Sequence, residues 1–384
     1  MPRFGILGGG MVGLSTAVAL QETYRNAELL IYSPEDISKL VSHGAAGGFR
    51  ADPEMMPGAV CCSTVECCPE CPFVRWCNHS KSHFWQIAAS PNSDAAGVFF
   101  QPMIKVLADR PPRTPFEASF CGQEKIVDED ELHMLGFSTN VNLGYFYVTC
   151  MIEGRYHMPY LRSKLNQQSS TASSRIFDGL APMSSLQQVY KWAIRENMDV
   201  VLNCTGLGAG TLCGDRNILP IRGHLVRVVA PWMKFGIYGP NTTHAFVGKE
   251  SVILGGFRTP LPCPIDQPLS PKDVEISKEA TKDILHRIGT LWHGGLNKAP
   301  ILEEWTGLRP FRNVVRLELD WLHDDCSSRR VPIIHNYGHG SMGITLSWGT
   351  ALDAVSLVEQ ALKSSGTRNR ETIVPPGLQK LSLD

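Results

Sequence analysis

The sequence predicts an α/β protein in which one nucleotide-binding domain is assembled from separated stretches of chain around a β-rich α+β insert. Three observations carry that expectation. A buried-strand pattern at Phe4 to Leu7 runs into Gly8-Gly9-Gly10-Met11-Val12-Gly13 and then into helical spacing. A second strand-then-glycine segment, Val331 to His335 followed by Gly338 to Gly343, lies near the other end. Between them the apolar period shifts to that of strands, most plainly from Leu219 to Phe257.

Taken in order, a helix is expected from Met11 to Tyr24, with Val12, Thr16, Ala17 and Leu20 on one face. Glu28 to Tyr32 then supplies the strand that completes a βαβ unit within about thirty residues. Residues 52 to 82 read as irregular, rich in Pro and Cys. Gly136 to Met151 is aromatic and β-branched, as strands are. Helix resumes near Pro159, and Gln168 to Ser174 reads as a Ser-rich loop. Asp199 to Asn203 is a short buried strand ending in Cys204-Thr205-Gly206. Ser270 and Pro271 read as cap and first residue of a helix carrying Ile276, Ala280, Ile284 and Ile288. Ile344 to Leu362 is the closing helix. The expected division is 1–50, 150–215 and 330–365 for the nucleotide-binding domain, 83–149 and 216–329 for the insert, and 51–82 for a Cys-rich insertion.

A chain of 384 residues is long enough for a large core. Its 36 Lys and Arg against 37 Asp and Glu leave no basic stripe of the kind nucleic acid requires. No apolar run is long enough for a membrane span. The N-terminus enters a strand at once, so no signal peptide is expected and the protein is expected to stay inside the cell. Ser382-Leu383-Asp384 is not a serine-lysine-leucine address, which makes cytoplasm the expected location. Of twelve cysteines, six crowd into Cys61, Cys62, Cys67, Cys68, Cys71 and Cys77, with His79 and His83 close behind. A zinc site needs four suitably spaced ligands, and no second CxxC follows Cys68 and Cys71. A surface insertion with reduced thiols, and no metal, is therefore expected. Sequons at Asn78 and Asn241 carry no weight without a secretory route.

The glycine turn fits G-x-G-x-x-G: Gly8 permits the tight turn, Gly10 lets backbone approach a pyrophosphate, and Gly13 allows close helix–strand packing. Phosphates would sit at the helix N-terminus, making this a Rossmann-like dinucleotide site. The acid expected after the second strand is displaced within Tyr32-Ser33-Pro34-Glu35-Asp36, and Glu35 is the better candidate for a ribose contact. The turn alone leaves NAD and FAD both open.

Seven strings extend this reading. They are GGGMVGLSTA at 8–17, HGAAGGF at 43–49, VLNCTGLGAG at 201–210, PIRGHLVRVVAPW at 220–232, VILGGFR at 252–258, WTGLRPFR at 305–312 and HNYGHGSMGITLSWGTALDA at 335–354. In combination, the chain up to about Leu362 resembles the D-amino-acid oxidase and D-aspartate oxidase family of flavoproteins. The resemblance implies non-covalent FAD. Its phosphates would be held by Gly8, Gly10, Met11, Val12 and Gly13 with Ser42 and Gly48 nearby, and its isoalloxazine lined by Gly340, Met342, Gly343, Ile344 and Thr345. The family's ribose-binding acid matches Pro34, so Glu35 would have to replace it.

The resemblance also implies that Arg309, in GLRP, grips the substrate α-carboxylate with a planar fork, while Arg312 is structural. Arg258 and Ser341 match the acidic-substrate branch, where a second guanidinium suits a side-chain carboxylate, against the alternative that Arg258 pairs with a carboxylate of the protein. The family's active-site tyrosine, fourteen residues before Arg258, is matched by His244. His244 is expected to donate to the substrate carboxylate or to carry charge below neutral pH, against the alternative of a loop histidine facing solvent. Tyr238 is a second candidate, supplying a hydroxyl from a repositioned loop. The implied reaction is hydride transfer from the Cα of D-Asp or D-Glu to the flavin, with no protein general base. Oxygen is the second substrate, and the products are a 2-oxo acid, ammonia and hydrogen peroxide. No nucleic-acid or membrane partner is expected, and assembly into a homo-oligomer stays open. The rivals are an oxidase of neutral D-amino acids, a catalytically impaired flavin- or NAD-binding protein, and an NAD-dependent dehydrogenase, which the second glycine turn disfavours.

Overall fold

The computed structural model describes residues 1–56, 58, 71–107, 120–166, 173–324 and 327–364. In chain order, β1 (Arg3–Leu7), α1 (Met11–Thr23) and β2 (Glu28–Ser33) open the fold, followed by α2 (Val41–Gly44), α3 (Pro72–Ala88) and α4 (Ser93–Ala96). Then come β3 (Val98–Leu107), β4 (Gly122–Val127), α5 (Glu129–Met134), β5 (Leu143–Ile152), α6 (Gly154–Asn166), β6 (Ser173–Asp178), α7 (Leu186–Arg195), β7 (Val200–Asn203) and α8 (Ala209–Cys213). The remainder is β8 (Leu219–Val228), β9 (Gly236–Tyr238), β10 (His244–Val247), β11 (Val252–Pro260), α9 (Lys278–Leu291), β12 (Ile301–Asp324), β13 (Ser327–His339) and α10 (Gly343–Ser364).

Among the described residues these strands join in one sheet, ordered β4-β5-β3-β9-β10-β11-β8-β12-β13-β7-β1-β2-β6. The last five strands of that order are mutually parallel. Parallel strands covered on both faces need continuous apolar runs, and Phe4, Ile6, Leu29 to Ile31 and Val200 to Leu202 are all buried. Helix α1 is buried nearly all round, because α6, α10 and the sheet enclose it. From β13 to β10 the pairing is antiparallel, built on hairpins and long returns rather than helical crossovers. Strand β12 belongs to both regions. Residues Ile301 to Phe311 pair with β8, Phe311 to Asp324 with β13, and Phe311 itself faces Leu219 on one side and His339 on the other.

Two sequence expectations are corrected. The helix expected at Ser270 is only a turn of 3-10 helix at Pro271–Val274, closed by a Ser270–Asp273 capping box. Glu275 is extended, Ile276 is exposed, and the true helix starts at Lys278 under a second cap, Ser277. The serine–proline chemistry is right for a start, but it starts a turn. The cysteine-rich stretch is not a surface insertion throughout. Cys71 is the N-cap position of α3 and Cys77 lies on its buried face with Phe73, Val74, Trp76 and Phe84, packed against α10. Burial pushes the Cys77 thiol well up, so it behaves as a core hydrophobe. Cys61, Cys62, Cys67 and Cys68 lie outside the described residues, as do most of the Ser-rich loop and Ser382-Leu383-Asp384. Among the described residues no cluster of His, Cys, Asp and Glu could hold a metal, and no helix is long and apolar enough to cross a membrane.

Candidate active site

A cavity of about 910 Å³ runs from the turn after β1 to the turn before α10. At its first end Gly8 has φ +105°, and a Cβ there would sit 2.3 Å from the Cys204 carbonyl oxygen. Gly10 differs: a Cβ would meet nothing closer than Ser42 Oγ at 3.8 Å, so its backbone faces open space. Helix α1 begins after Gly10 with no acidic side chain in its first turn, and Met11 N–H donates to Ser42 Oγ at 3.4 Å. Free N–H groups, the helix dipole and a first turn without acids are what a phosphate would need. Gly8, Gly10, Met11, Val12, Ser42 and Gly48 all line the cavity, whereas Gly13 packs behind, against the Gly8 carbonyl. Further along the wall stand Pro34 and Glu35. Asp36 is occupied in accepting from Ser38 N and Oγ, which leaves Glu35 as the acid facing that end.

At the other end Gly340, Ser341 and Met342 form a 3-10 turn that feeds α10, again with no acid in its first turn. These three, with Gly343, Ile344 and Thr345, line the cavity, and so does Asn336, whose Oδ1 is buried without a partner. An elongated space with acid-free helix N-termini at both ends and an unmet acceptor between them fits a flavin dinucleotide.

Beside this second end lie the arginines. Arg309 projects from β12, two residues before the strand changes partner. Its guanidinium fills the place a side chain at Gly223 on β8 would take: a Cβ there would lie 2.3 Å from Nη1 and 2.4 Å from Cζ. Nη1 is buried with no partner. Burial, then Arg258 and Arg50, pulls its pKa down to about 10, so it stays charged at neutral pH. Arg258 reaches the cavity because β11 bulges between Leu254 and Phe257, where Gly256 adopts φ +128°. The bulge is pinned from α9, where Arg287 donates to the carbonyls of Gly256 (3.1 Å) and Asn241 (3.0 Å) and to Thr243 Oγ1 (3.0 Å). Arg258 contacts Met55 Sδ, and burial followed by Arg50 lowers its pKa.

His244 lines the cavity but not in the role expected. Its Nδ1 faces the Thr242 carbonyl at 2.8 Å, which only a protonated Nδ1 can satisfy, and Nε2 is then a buried acceptor with no partner. Burial chiefly, with Arg50, Arg309 and Arg287 adding repulsion, lowers its pKa to about 3. It is therefore neither solvent-facing, nor charged near neutral pH, nor able to donate from Nε2. Tyr238 is buried behind the wall, its ring 6.4 Å from that of His244 and 4.2 Å beneath the guanidinium of Arg50.

The sequence reading missed Arg50, Gly223 and Arg287. Arg50 directly follows the HGAAGGF string, and that adjacency is the only signal it gives; the other two act through cross-strand and helix–loop register.

Comparison with known proteins agrees with this geometry. A family model described as FAD dependent oxidoreductase matches residues 3–357. A D-aspartate oxidase from Homo sapiens is 31% identical over 373 residues, spanning 95% of this chain and 97% of that protein. A D-amino acid oxidase from Dugesia ryukyuensis is 27% identical over 366 residues, spanning 93% and 97%. Among solved structures, glycine oxidase from Geobacillus kaustophilus superposes with a TM-score of 0.67 at 17% identity, over 94% of this chain and 95% of the other, which speaks for the fold. With strand, turn and cavity in place and the family matched over nearly the whole length, the chain belongs to the DAO family of FAD-dependent oxidoreductases, and FAD is its cofactor.

Proposed function

We propose that this protein oxidatively deaminates acidic D-amino acids, D-Asp and D-Glu, with oxygen as the electron acceptor. The observation that carries the reading is the convergence of Arg309 and Arg258 on one end of the cavity, the first with a buried Nη1 that has no protein partner. A buried cation left without a counter-charge is destabilising, and a carboxylate supplied by the substrate relieves it. Arg258, with Arg50 and Asp52 near it, adds a second cation at the same end, suited to a second carboxylate. The curated relatives named D-aspartate oxidase support the same reading.

In this proposal Gly8, Gly10, Met11, Val12, Ser42 and Gly48 hold the FAD phosphates and Glu35 the ribose. Gly340, Met342, Gly343, Ile344 and Thr345 lie along the isoalloxazine, with Gly13 supporting the turn from behind. FAD, when bound, supplies a two-electron acceptor for the substrate Cα–H and passes the electrons to oxygen as hydrogen peroxide. Arg309 grips the α-carboxylate bidentately and fixes the Cα–H toward the cofactor. Arg258 takes the side-chain carboxylate, and Ser341 borders the same space. His244 shapes the wall, and Tyr238 packs behind it. The released imino acid hydrolyses in water to a 2-oxo acid and ammonia.

The test is anaerobic flavin bleaching by D-Asp, D-Glu, D-Ala and L-Asp. Fast bleaching by D-Asp or D-Glu, slow bleaching by D-Ala and none by L-Asp are expected. Preference for D-Ala would replace the reading with a neutral D-amino-acid oxidase. A yellow protein bleached by none of them would mark a flavoprotein without this activity.

A further inference from the structure

Arg50 lines the same cavity as Arg309 and Arg258. Its backbone N–H donates to Thr345 Oγ1 at 3.3 Å, on the first turn of α10. Its guanidinium lies 4.2 Å from the centre of the Tyr238 ring, and Nε is 3.6 Å from Asp52 Oδ2. Lys105 approaches the same ring at 6.0 Å. Arg50 is near enough to Arg258, Arg309 and His244 to lower the proton affinity of all three.

Arg258 feels Arg50, Tyr238 and Asp52, and Arg50 sits on that tyrosine and beside that aspartate. Arg309 feels Arg258 and Arg50 but no carboxylate. Arg50 thus belongs with Arg258, in a group of cations that Asp52 only partly neutralises.

Resting on the acidic-substrate reading above, we propose that Arg50 is a second reader of the substrate side-chain carboxylate, sharing it with Arg258, and that Asp52 is the internal counter-ion that this carboxylate displaces. Arg50 is then a specificity-determining residue. The Tyr238 ring holds the guanidinium by a cation–π contact, and loss of part of the Asp52 pairing is offset by the incoming charge.

The test uses FAD-loaded enzyme, steady-state kinetics with D-Asp, and calorimetric titration with succinate and propionate, the amine-free frames of D-Asp and D-Ala. Arg50→Gln should raise the succinate Kd and the D-Asp KM about tenfold or more, the scale of one lost charge-assisted hydrogen bond, with kcat and the propionate Kd moving less than about threefold. Arg50→Lys should keep succinate within about threefold of wild type, because the charge is retained. Asp52→Asn should move succinate the other way, tightening it about threefold or more relative to propionate. Equal weakening of succinate and propionate in Arg50→Gln, no change in either, or weaker succinate binding in Asp52→Asn would each overturn the proposal. If Arg50→Gln does not fold, the sign of the Asp52→Asn effect decides. A wild-type enzyme that binds succinate no tighter than propionate defeats the acidic-substrate reading itself. A wild-type preference for succinate with flat variants defeats only the role of Arg50.

Discussion

At Arg309 a buried guanidinium is accommodated because Gly223, across the β8–β12 ladder, has no side chain. A Cβ there would lie within 2.5 Å of Nη1, Cζ and Nη2, so the guanidinium would have to leave its present place. Gly223→Ala is therefore expected to lower kcat/KM about a hundredfold or more while the protein still folds and binds FAD, since the strand itself tolerates alanine. Steady-state kinetics beside the flavin spectrum checks this; wild-type kinetics would show that Arg309 does not hold the substrate. His244 gives a prediction of no effect. With its pKa near 3 it stays neutral throughout the working range. His244→Asn, which keeps a donor to the Thr242 carbonyl, should leave both limbs of the kcat/KM profile unmoved between about pH 5 and 9. A shifted acid limb would contradict the buried neutral form. That Arg309, Arg258 and Ser341 would come to one cavity was legible because each stands in one of the quoted strings. Arg50 and Gly223 were not, because their meaning depends on a ring and a guanidinium brought in by distant strands.

Strand β11 and helix α9 together place Arg258, and neither does so alone. The bulge at Gly255 and Gly256 turns the strand, and the adjoining loop carries Asn241 at φ +53° and Thr242 at φ +59°. Left-handed backbone at two successive non-glycine residues is unfavourable and persists where the surroundings hold it. Here the fork of Arg287 does so, reaching two carbonyls and a hydroxyl while Asp283 accepts from its Nε. Arg287→Ala should thus raise the KM for D-Asp about tenfold with a smaller change in kcat, and lower stability by about 1 kcal/mol, the scale of hydrogen bonds lost at part-exposed groups. Arg287→Lys should not restore the KM, because one ammonium cannot span the same acceptors. An unchanged KM in both variants would show that the bulge holds itself. The strands were readable from period, and so was the glycine-turn start of α1. The start of α9 was not, because Ser270 and Ser277 are both true caps and only packing of Ile284 and Ile288 decides which one begins a long helix.

Across the whole molecule, β12 runs unbroken from the antiparallel region into the parallel one, and Pro310 sits opposite Pro220 near the point where it changes partner. A proline pair normally argues against a central strand, which is why the sequence could not show this continuity. The two regions also share a set of histidines buried without charge. His157 and His335 are held near pKa 4 and His244 and His339 near 3, each chiefly by desolvation, while His83, stacked on Trp348 at 3.6 Å, is held well below its usual value. In the unfolded chain such groups titrate near pH 6.5. Between those values the unfolded state binds protons that the native state refuses, so stability is complete above about pH 6.5 and falls as pH drops toward about 4, by up to about 1.4 kcal/mol per pH unit for each histidine. Glu22 and Glu153, whose pKa values burial raises, act in the opposite sense and offset part of the loss. Melting temperature of the FAD-loaded protein should therefore decline steadily from about pH 7 to about pH 5, before ordinary carboxylates protonate. His157→Asn, which keeps a donor toward the Ala96 carbonyl, should flatten that slope by close to one proton's share. A slope untouched by the substitution would mean that His157 binds its proton alike in the folded and unfolded protein.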